Sequence, residues 1–433
     1  MVDVWLPYGK SDVCVRIPAR NLIGSIEPKQ VPGAADVNAE IERALNEPIG
    51  SKRLSEIAQP EHKIAIVVDD FTRNTPTHIM LPPVLAELNT AGVKDENVTI
   101  IFGCGTHRAV KSQEAKRILG EEILNRVKTV SHNCKAEDLV PVGKTKRGTD
   151  VRVNPVFAEA DVKVLVGDVG FHYYAGYGGG RKSVMPAISC RETISHNHAM
   201  LLDQNARTGV LEGNPVHEDM TDAARLAKVD FILNVVTNSK NEIVKAFAGD
   251  MEQAFLEATK LVDDMYRVPV DRRADIVVVS PGGYPADINL YQAYKALDNA
   301  LAVTKRGGTI ILVAECAEGH GNQVFYDWMA RLQELKKVER EVKRNFELGG
   351  HKAYYLLKAL KSHPIILVSS LPDYYANGVF KLKTARAVND AFRETLKTAG
   401  SQAKVWTMPQ GNFTLPEVKT QEQAYLKGHI LTG

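Results

Sequence analysis

The chain has no apolar run approaching the ~20 residues that a membrane-spanning helix needs. It has no dense Lys/Arg tract, and 54 basic residues against 52 acidic ones leave a formal charge of +2. Neither nucleic acid nor an anionic membrane surface is therefore an expected partner. Cysteine is sparse: Cys14, Cys104, Cys134, Cys190 and Cys316 are scattered and form no C-x-x-C pair. That usage points to reduced thiols and a cytoplasmic location. The common metal motifs are missing too, with no H-E-x-x-H and only a lone H-x-H at His196 and His198. No internal repeat or low-complexity segment is visible. The opening "MVDVWLPYGKSDVCVRIP" alternates apolar and polar residues and carries Asp3 and Asp12, so it reads as a hairpin rather than a signal peptide.

What is present is an ordinary globular composition, 44% apolar and 24% charged over 433 residues, enough for two or three domains. Short apolar runs alternate with helical periods. "KIAIVVDD" (63–70), "NVTIIFGCG" (97–105), "DVKVLVGDVG" (161–170) and "DFILNVV" (230–236) read as strands. The stretch 78–92, a segment near 216–227 and 251–266 read as helices. This βαβ rhythm predicts α/β architecture, with largely parallel sheets flanked by helices. The polar stretch "RVPVDRRAD" (267–275) marks the expected domain boundary. It separates an N-terminal catalytic and cofactor-binding domain (1–268) from a smaller C-terminal one (274–433). In the second, strands are expected at 275–283, 307–315, 364–370 and 403–408, with helices at 288–304 and over most of 322–361.

The glycine-rich "GYGGGRKS" (176–183) suggests a phosphate loop, but that motif needs glycine directly before the lysine, and Arg181 stands there. "GCGTHR" (103–108) starts a dinucleotide fingerprint and lacks its third glycine. More telling is where the polar residues fall. Asp70, Thr72 and Arg73 follow one predicted strand, His107 follows the next, and His172 and Lys182 follow the 161–168 strand. Ligands of open α/β sheets bind at the carboxyl ends of strands, so these loops are expected to converge on one crevice. In the second domain, Gln292 and Lys295 share a face of the predicted 288–304 helix.

Five segments together, "DDFTR" (69–73), "GTHR" (105–108), "FHYYAGYGGGRKSVMPAIS" (171–189), "HNH" (196–198) and "YQAYK" (291–295), resemble the lactate racemase family in order and spacing. The resemblance implies two domains with the active site in the cleft between them. It implies the nickel-pincer nucleotide as cofactor, a pyridinium-3-thioamide-5-thiocarboxylic acid mononucleotide holding Ni2+, covalently attached at Lys182. His198 would be the protein ligand to nickel, a metal that accepts imidazole and soft sulfur in planar sites. Thr72, Gly178, Gly179 and Gly180 would line the cofactor. His107 and His172 would be the acid/base pair, supported by Asp70 and Arg73, and Arg73, Gln292 and Lys295 would bind substrate.

The implied reaction interconverts the D and L forms of a short 2-hydroxy acid, with lactate foremost. Hydride leaves C2 for the tethered cofactor and returns to either face of a 2-keto acid. Histidines titrate near neutrality and suit a hydroxyl proton moving in both directions. The partners implied are the small 2-hydroxy acid and the enzymes that make the cofactor. Other readings stay open beside this one, an NAD-dependent dehydrogenase being the most distant. The same cofactor could racemise a larger 2-hydroxy acid or epimerise a sugar acid, or the chain could be a non-catalytic nucleotide-binding homologue. The sequence departs from the family pattern at Ala187, where a glycine commonly follows the proline.

Overall fold

The structure, a computed structural model, describes residues 1–419. It divides into two compact units, one formed by Gln30–Asp264 and the other by Met1–Lys29 together with the chain from Met265 onward. The N-terminal segment thus belongs with the C-terminal unit, whereas its place in the sequence suggests the first domain. The reason is local. The hairpin β1 (Val2–Tyr8) and β2 (Ser11–Ile17) places Leu6, Val15 and Ile17 in one apolar core with Ile276, Ile311 and Val405. The next strand, β3 (Leu22–Ser25), pairs in parallel with Val405–Met408.

In the Gln30–Asp264 unit the main sheet consists of β4 (Ile64–Asp69), β5 (Val98–Gly103), β6 (Lys128–Ser131), β7 (Val162–Asp168), β8 (Phe231–Thr237) and β9 (Ile243–Gly249), of which β4, β5, β7 and β8 are the strands expected from the sequence and β6 and β9 are not. Their order across the sheet is β9-β8-β7-β4-β5-β6, parallel throughout except for the antiparallel pair β8 and β9. Ile64 to Val68 are all buried, as a strand covered on both faces requires. One cover is α1 (Thr77–Thr90), whose Met80, Leu81, Val84, Leu85 and Leu88 recur at helical spacing and pack into the core beside Ile64, Ile66 and Val68.

The other unit repeats the plan with β10 (Ala274–Val279), β11 (Thr304–Val313), β12 (Ile365–Val368), β13 (Lys383–Ala385) and β14 (Val405–Met408). Its sheet runs β13-β12-β11-β10-β14-β3 and every pair is parallel. The expected boundary stretch is partly structured, since Arg267–Val270 pairs with Leu415–Val418. The unit boundary accordingly falls a few residues earlier, between Asp264 and Met265. All five cysteines are free. Among the described residues, no helix is long and apolar enough to cross a membrane.

Candidate active site

Three loops leave the carboxyl ends of β4, β5 and β7, which are neighbours or near neighbours in the sheet. Each carries residues singled out from the sequence. After β4, Asp70 is buried and accepts three hydrogen bonds. Its Oδ1 takes the Thr72 amide at 3.0 Å and the Thr72 hydroxyl at 2.6 Å, and its Oδ2 lies 2.6 Å from His107 Nδ1. Burial alone would raise the Asp70 pKa, but the His107 and Thr72 bonds outweigh it and hold the carboxyl below its ordinary range. An ionised carboxylate only accepts, so Nδ1 of His107 carries a hydrogen, and in the neutral ring the lone pair is on Nε2.

His172 has the opposite tautomer. Its Nδ1 accepts the Ala175 amide at 3.3 Å, which leaves the hydrogen on Nε2. Loss of water, followed by the positive charges of Lys182 and Arg73, pushes its pKa well below the usual value of 6.5. The ring stacks on Tyr173 at 4.9 Å and meets Tyr174 edge-on at 4.5 Å.

Tyr174 gathers the rest of the site. It is buried, its ring centroid is 5.2 Å from that of His198, and Lys182 Nζ stands 5.7 Å from it. Burial, then Arg73 and Arg181, lower the Lys182 pKa well below 10.5, so the amine is readily unprotonated. His198, on α2 (Arg191–Ala199), is pushed down to about 3 by burial and then by Lys182. It is therefore a neutral imidazole at ordinary pH, the form that binds a metal. Its Nδ1 lies 3.0 Å from Asn197 Oδ1, an acceptor, so Nδ1 carries the hydrogen of the neutral ring. Asn197 is held in turn by Asp219 Oδ2 at 2.9 Å. His196 turns instead to the Thr149 hydroxyl, with its Nδ1 at 2.7 Å. A neutral buried imidazole beside a low-pKa lysine amine fits a metal-bearing group tethered at Lys182.

Arg73 closes the set. It is solvent-accessible, and its charge acts on both His172 and Lys182 while it feels Asp69, Asp168 and Asp70. Asp70, Thr72, Arg73, His107, His172, Lys182 and His198 thus belong to one neighbourhood of a single unit. Gln292 and Lys295 lie in the other unit, on the helix Leu290–Leu301, which Asn289 caps by accepting the Gln292 amide at 3.0 Å. Lys295 is exposed and Gln292 half-buried.

Two of the glycines also answer a need within the protein itself. Gly179 has φ +77°, and a Cβ there would lie 2.7 Å from the Asp168 carbonyl oxygen. Gly180 has φ +53° and would meet Phe255 at 3.0 Å. Both are needed for a left-handed backbone and for close approach to the protein itself. A Cβ on Gly178 would meet nothing nearer than 3.7 Å. The loop is organised by Arg181, which is wholly buried and donates to the carbonyls of Ala175, Tyr177, Gly178 and Gly179 and to His217 Nδ1. Ala187, for its part, has no positive φ, so its backbone needs no glycine. Sequence reasoning missed Arg181, Tyr174, Asn197 and Asp219. Only Arg181 left a signal, as the residue that broke the phosphate-loop pattern.

Comparison with known proteins identifies the family. Residues 8–209 match the lactate racemase N-terminal domain and residues 270–414 the lactate racemase C-terminal domain. The chain is 35% identical over 421 residues to the lactate racemase of Thermoanaerobacterium thermosaccharolyticum, covering 95% of this chain and 98% of that one. It is 35% identical over 423 residues to the lactate racemase of Lactiplantibacillus plantarum, covering 95% and 99%. The structure of the T. thermosaccharolyticum lactate racemase apoprotein superposes with a TM-score of 0.89 at 33% identity, over 96% of this chain and all of that one. A Thermotoga maritima protein shares the fold, with a TM-score of 0.66 at 20% identity over 90% of this chain. The chain belongs to the lactate racemase family, a family of isomerases.

Proposed function

We propose that the chain racemises lactate through a nickel-pincer nucleotide carried on Lys182 and ligated by His198. The observation that carries this is the complementary state of the two histidines, one with a lone pair on Nε2 and one with a hydrogen there, beside a low-pKa lysine and a neutral buried imidazole. When bound, the cofactor supplies the acceptor and donor of the hydride at C2, which spares the protein a carbanion it has no means to stabilise. Arg73 binds the substrate carboxylate as a fork and fixes its orientation. His107 Nε2 takes the hydroxyl proton of one enantiomer, and Asp70, already bonded to Nδ1, stabilises the imidazolium that forms. His172 serves the mirror image. For that it must present its own Nε2 lone pair, giving up only the long 3.3 Å bond from Ala175. Thr72 and the backbone at Gly178, Gly179 and Gly180 are proposed to lie against the cofactor, and Gln292 and Lys295 to contact substrate. The same reading makes the chain dependent on enzymes that assemble the cofactor and places it in the cytoplasm, in keeping with its free thiols.

The test is to co-express the chain with cofactor-making enzymes, then measure nickel, intact mass and lactate racemisation. A covalent adduct at Lys182, bound nickel and interconversion of D- and L-lactate are expected. Lys182→Ala should abolish the adduct. Nickel-free protein with unmodified Lys182 that still racemises lactate would refute the proposal.

A further inference from the structure

Thr75 stands between two carboxylates. Its Oγ1 is 2.6 Å from Asp69 Oδ2, at the end of β4, and 2.7 Å from Asp168 Oδ1, at the end of β7. Both distances are those of short O–H···O hydrogen bonds. A hydroxyl has one hydrogen and can donate to only one of the two oxygens. With both carboxyls ionised, the second contact would set the Thr75 oxygen lone pair against an anionic oxygen. One added proton resolves this. The chain then runs from a carboxylic O–H to Thr75 Oγ1, and from the Thr75 hydroxyl to the other carboxylate.

We infer that Asp69 and Asp168 hold a single proton between them across Thr75, and that this pair is a positioning device for Arg73 and the substrate carboxylate. The loop that begins at Asp69 returns at Thr75 to bond the same residue, so the hydroxyl closes the turn bearing Asp70, Thr72 and Arg73 and ties it to the neighbouring strand. The charged groups that act most on Asp69, besides Asp168, belong to the site. Arg73 and Asp70 act on Asp69 from the loop, Asp69 acts on Lys182 from beneath, and Asp168 acts on Arg73. The adjacent polar side chains, Asn234 and Ser183, are neutral. A Cβ built on Gly167 would lie 3.5 Å from Asp69 Oδ2, 3.7 Å from Asn234 Nδ2 and 3.9 Å from Ser183 Oγ.

With one proton the pair carries a single negative charge. When the proton leaves, the charge beneath Arg73 doubles. The guanidinium is drawn toward the pair, and an anionic substrate meets one more repelling charge. Loss of water, then the Asp168 charge, raises the Asp69 pKa to about 7, which places this change near neutrality. Affinity for the substrate should fall as pH rises through that value.

Two measurements test the inference, and the first needs neither cofactor nor substrate. Infrared difference spectra of the cofactor-free protein should show the carbonyl stretch of a protonated carboxylic acid at pH 6 that disappears by pH 8. The band should be lost in Asp69→Asn and in Asp168→Asn, because the amide donates to Thr75 in place of the acid. The second measurement rests on the racemase reading. In the holoenzyme, the KM for lactate should rise by up to about tenfold per pH unit above neutrality, the slope for loss of one proton. Either Asn variant should flatten that rise, and Thr75→Ser should keep it. Absence of the band from the wild-type protein, or its persistence in both Asn variants, overturns the inference. So does an alkaline rise in KM that both variants retain. A band that behaves as expected in a protein that racemises nothing refutes the functional proposal and leaves the shared proton standing.

Discussion

Replacing Asp70 by asparagine tests the site at its most specific point, because the structure dictates which way the amide must face. Oδ1 of Asp70 accepts two donors from Thr72, at 3.0 and 2.6 Å. An amide nitrogen cannot accept those bonds, so the asparagine oxygen must take the Oδ1 position. Its NH2 then takes the Oδ2 position, facing His107 Nδ1, which lies 2.6 Å away in the wild type. The amide donates to Nδ1, drives the hydrogen onto Nε2 and removes the lone pair that should receive the substrate proton. Asp70→Ala imposes no tautomer. It removes only the hydrogen bond to a charged group, worth about 1.5–3 kcal/mol, or roughly 10- to 150-fold in rate at about 1.36 kcal/mol per tenfold. An Asp→Asn change that inverts a catalytic histidine has cost about 10⁴ in kcat elsewhere. The asparagine variant should therefore fall about 10³- to 10⁴-fold and be slower than the alanine variant, an order opposite to what chemical similarity suggests. Chiral chromatography of lactate gives the turnover. Single-turnover formation of the 2-keto acid from each pure enantiomer locates the lesion. Asp70→Asn should block one enantiomer's half-reaction and His172→Ala the other. An asparagine variant as active as the alanine variant, or one that slows both half-reactions equally, would refute the assigned roles.

Two further outcomes follow from the packing around the site. Arg181→Met should destabilise the unit that contains it by roughly 3 kcal/mol or more, because it strands several buried carbonyl acceptors at about 1–3 kcal/mol each; a urea titration that shifts by less would show that water replaces the guanidinium. Acid should also destabilise the protein through its buried imidazoles. Burial lowers His132 to about 4, and burial followed by Lys182 lowers His198 to about 3. Groups depressed on folding contribute stability that is fully present above the unfolded pKa of about 6.5 and lost as pH falls toward the folded values. The melting temperature of the cofactor-free protein should thus drop steadily from pH 6.5 to 4.5. His132→Gln should make that drop shallower, and a curve of unchanged steepness would remove His132 from the account.

The fold was legible where burial is two-sided. Ile64 to Val68 and Val162 to Gly167 are buried without a break, and such runs can be little else than central parallel strands. The loops that follow them were legible too, since polar residues at strand ends converge whatever the details of the turn. The antiparallel strand Ile243–Gly249 went unread, as did the docking of Met1–Lys29 on the other unit. Each is settled by which partner strand lies alongside, and no local pattern records that choice.

The same limit explains the glycine loop. Glycines ahead of a lysine read as space for a ligand, because sequence displays residue types and not what they touch. The structure adds neighbours within the protein that a side chain at two of these positions would strike. Gly179 passes the Asp168 carbonyl, Gly180 passes Phe255, and Arg181 binds the carbonyls the tight backbone leaves facing inward. Asp168 is at once the residue Gly179 must clear and one end of the Thr75 bridge, so the glycine loop and the carboxylate pair share one strand terminus. A bulky residue at 179 would push on the backbone of Asp168 and hence on Thr75, Asp69 and the loop carrying Arg73. Gly179 is therefore a condition for where Asp168, and with it the Thr75 bridge, comes to rest.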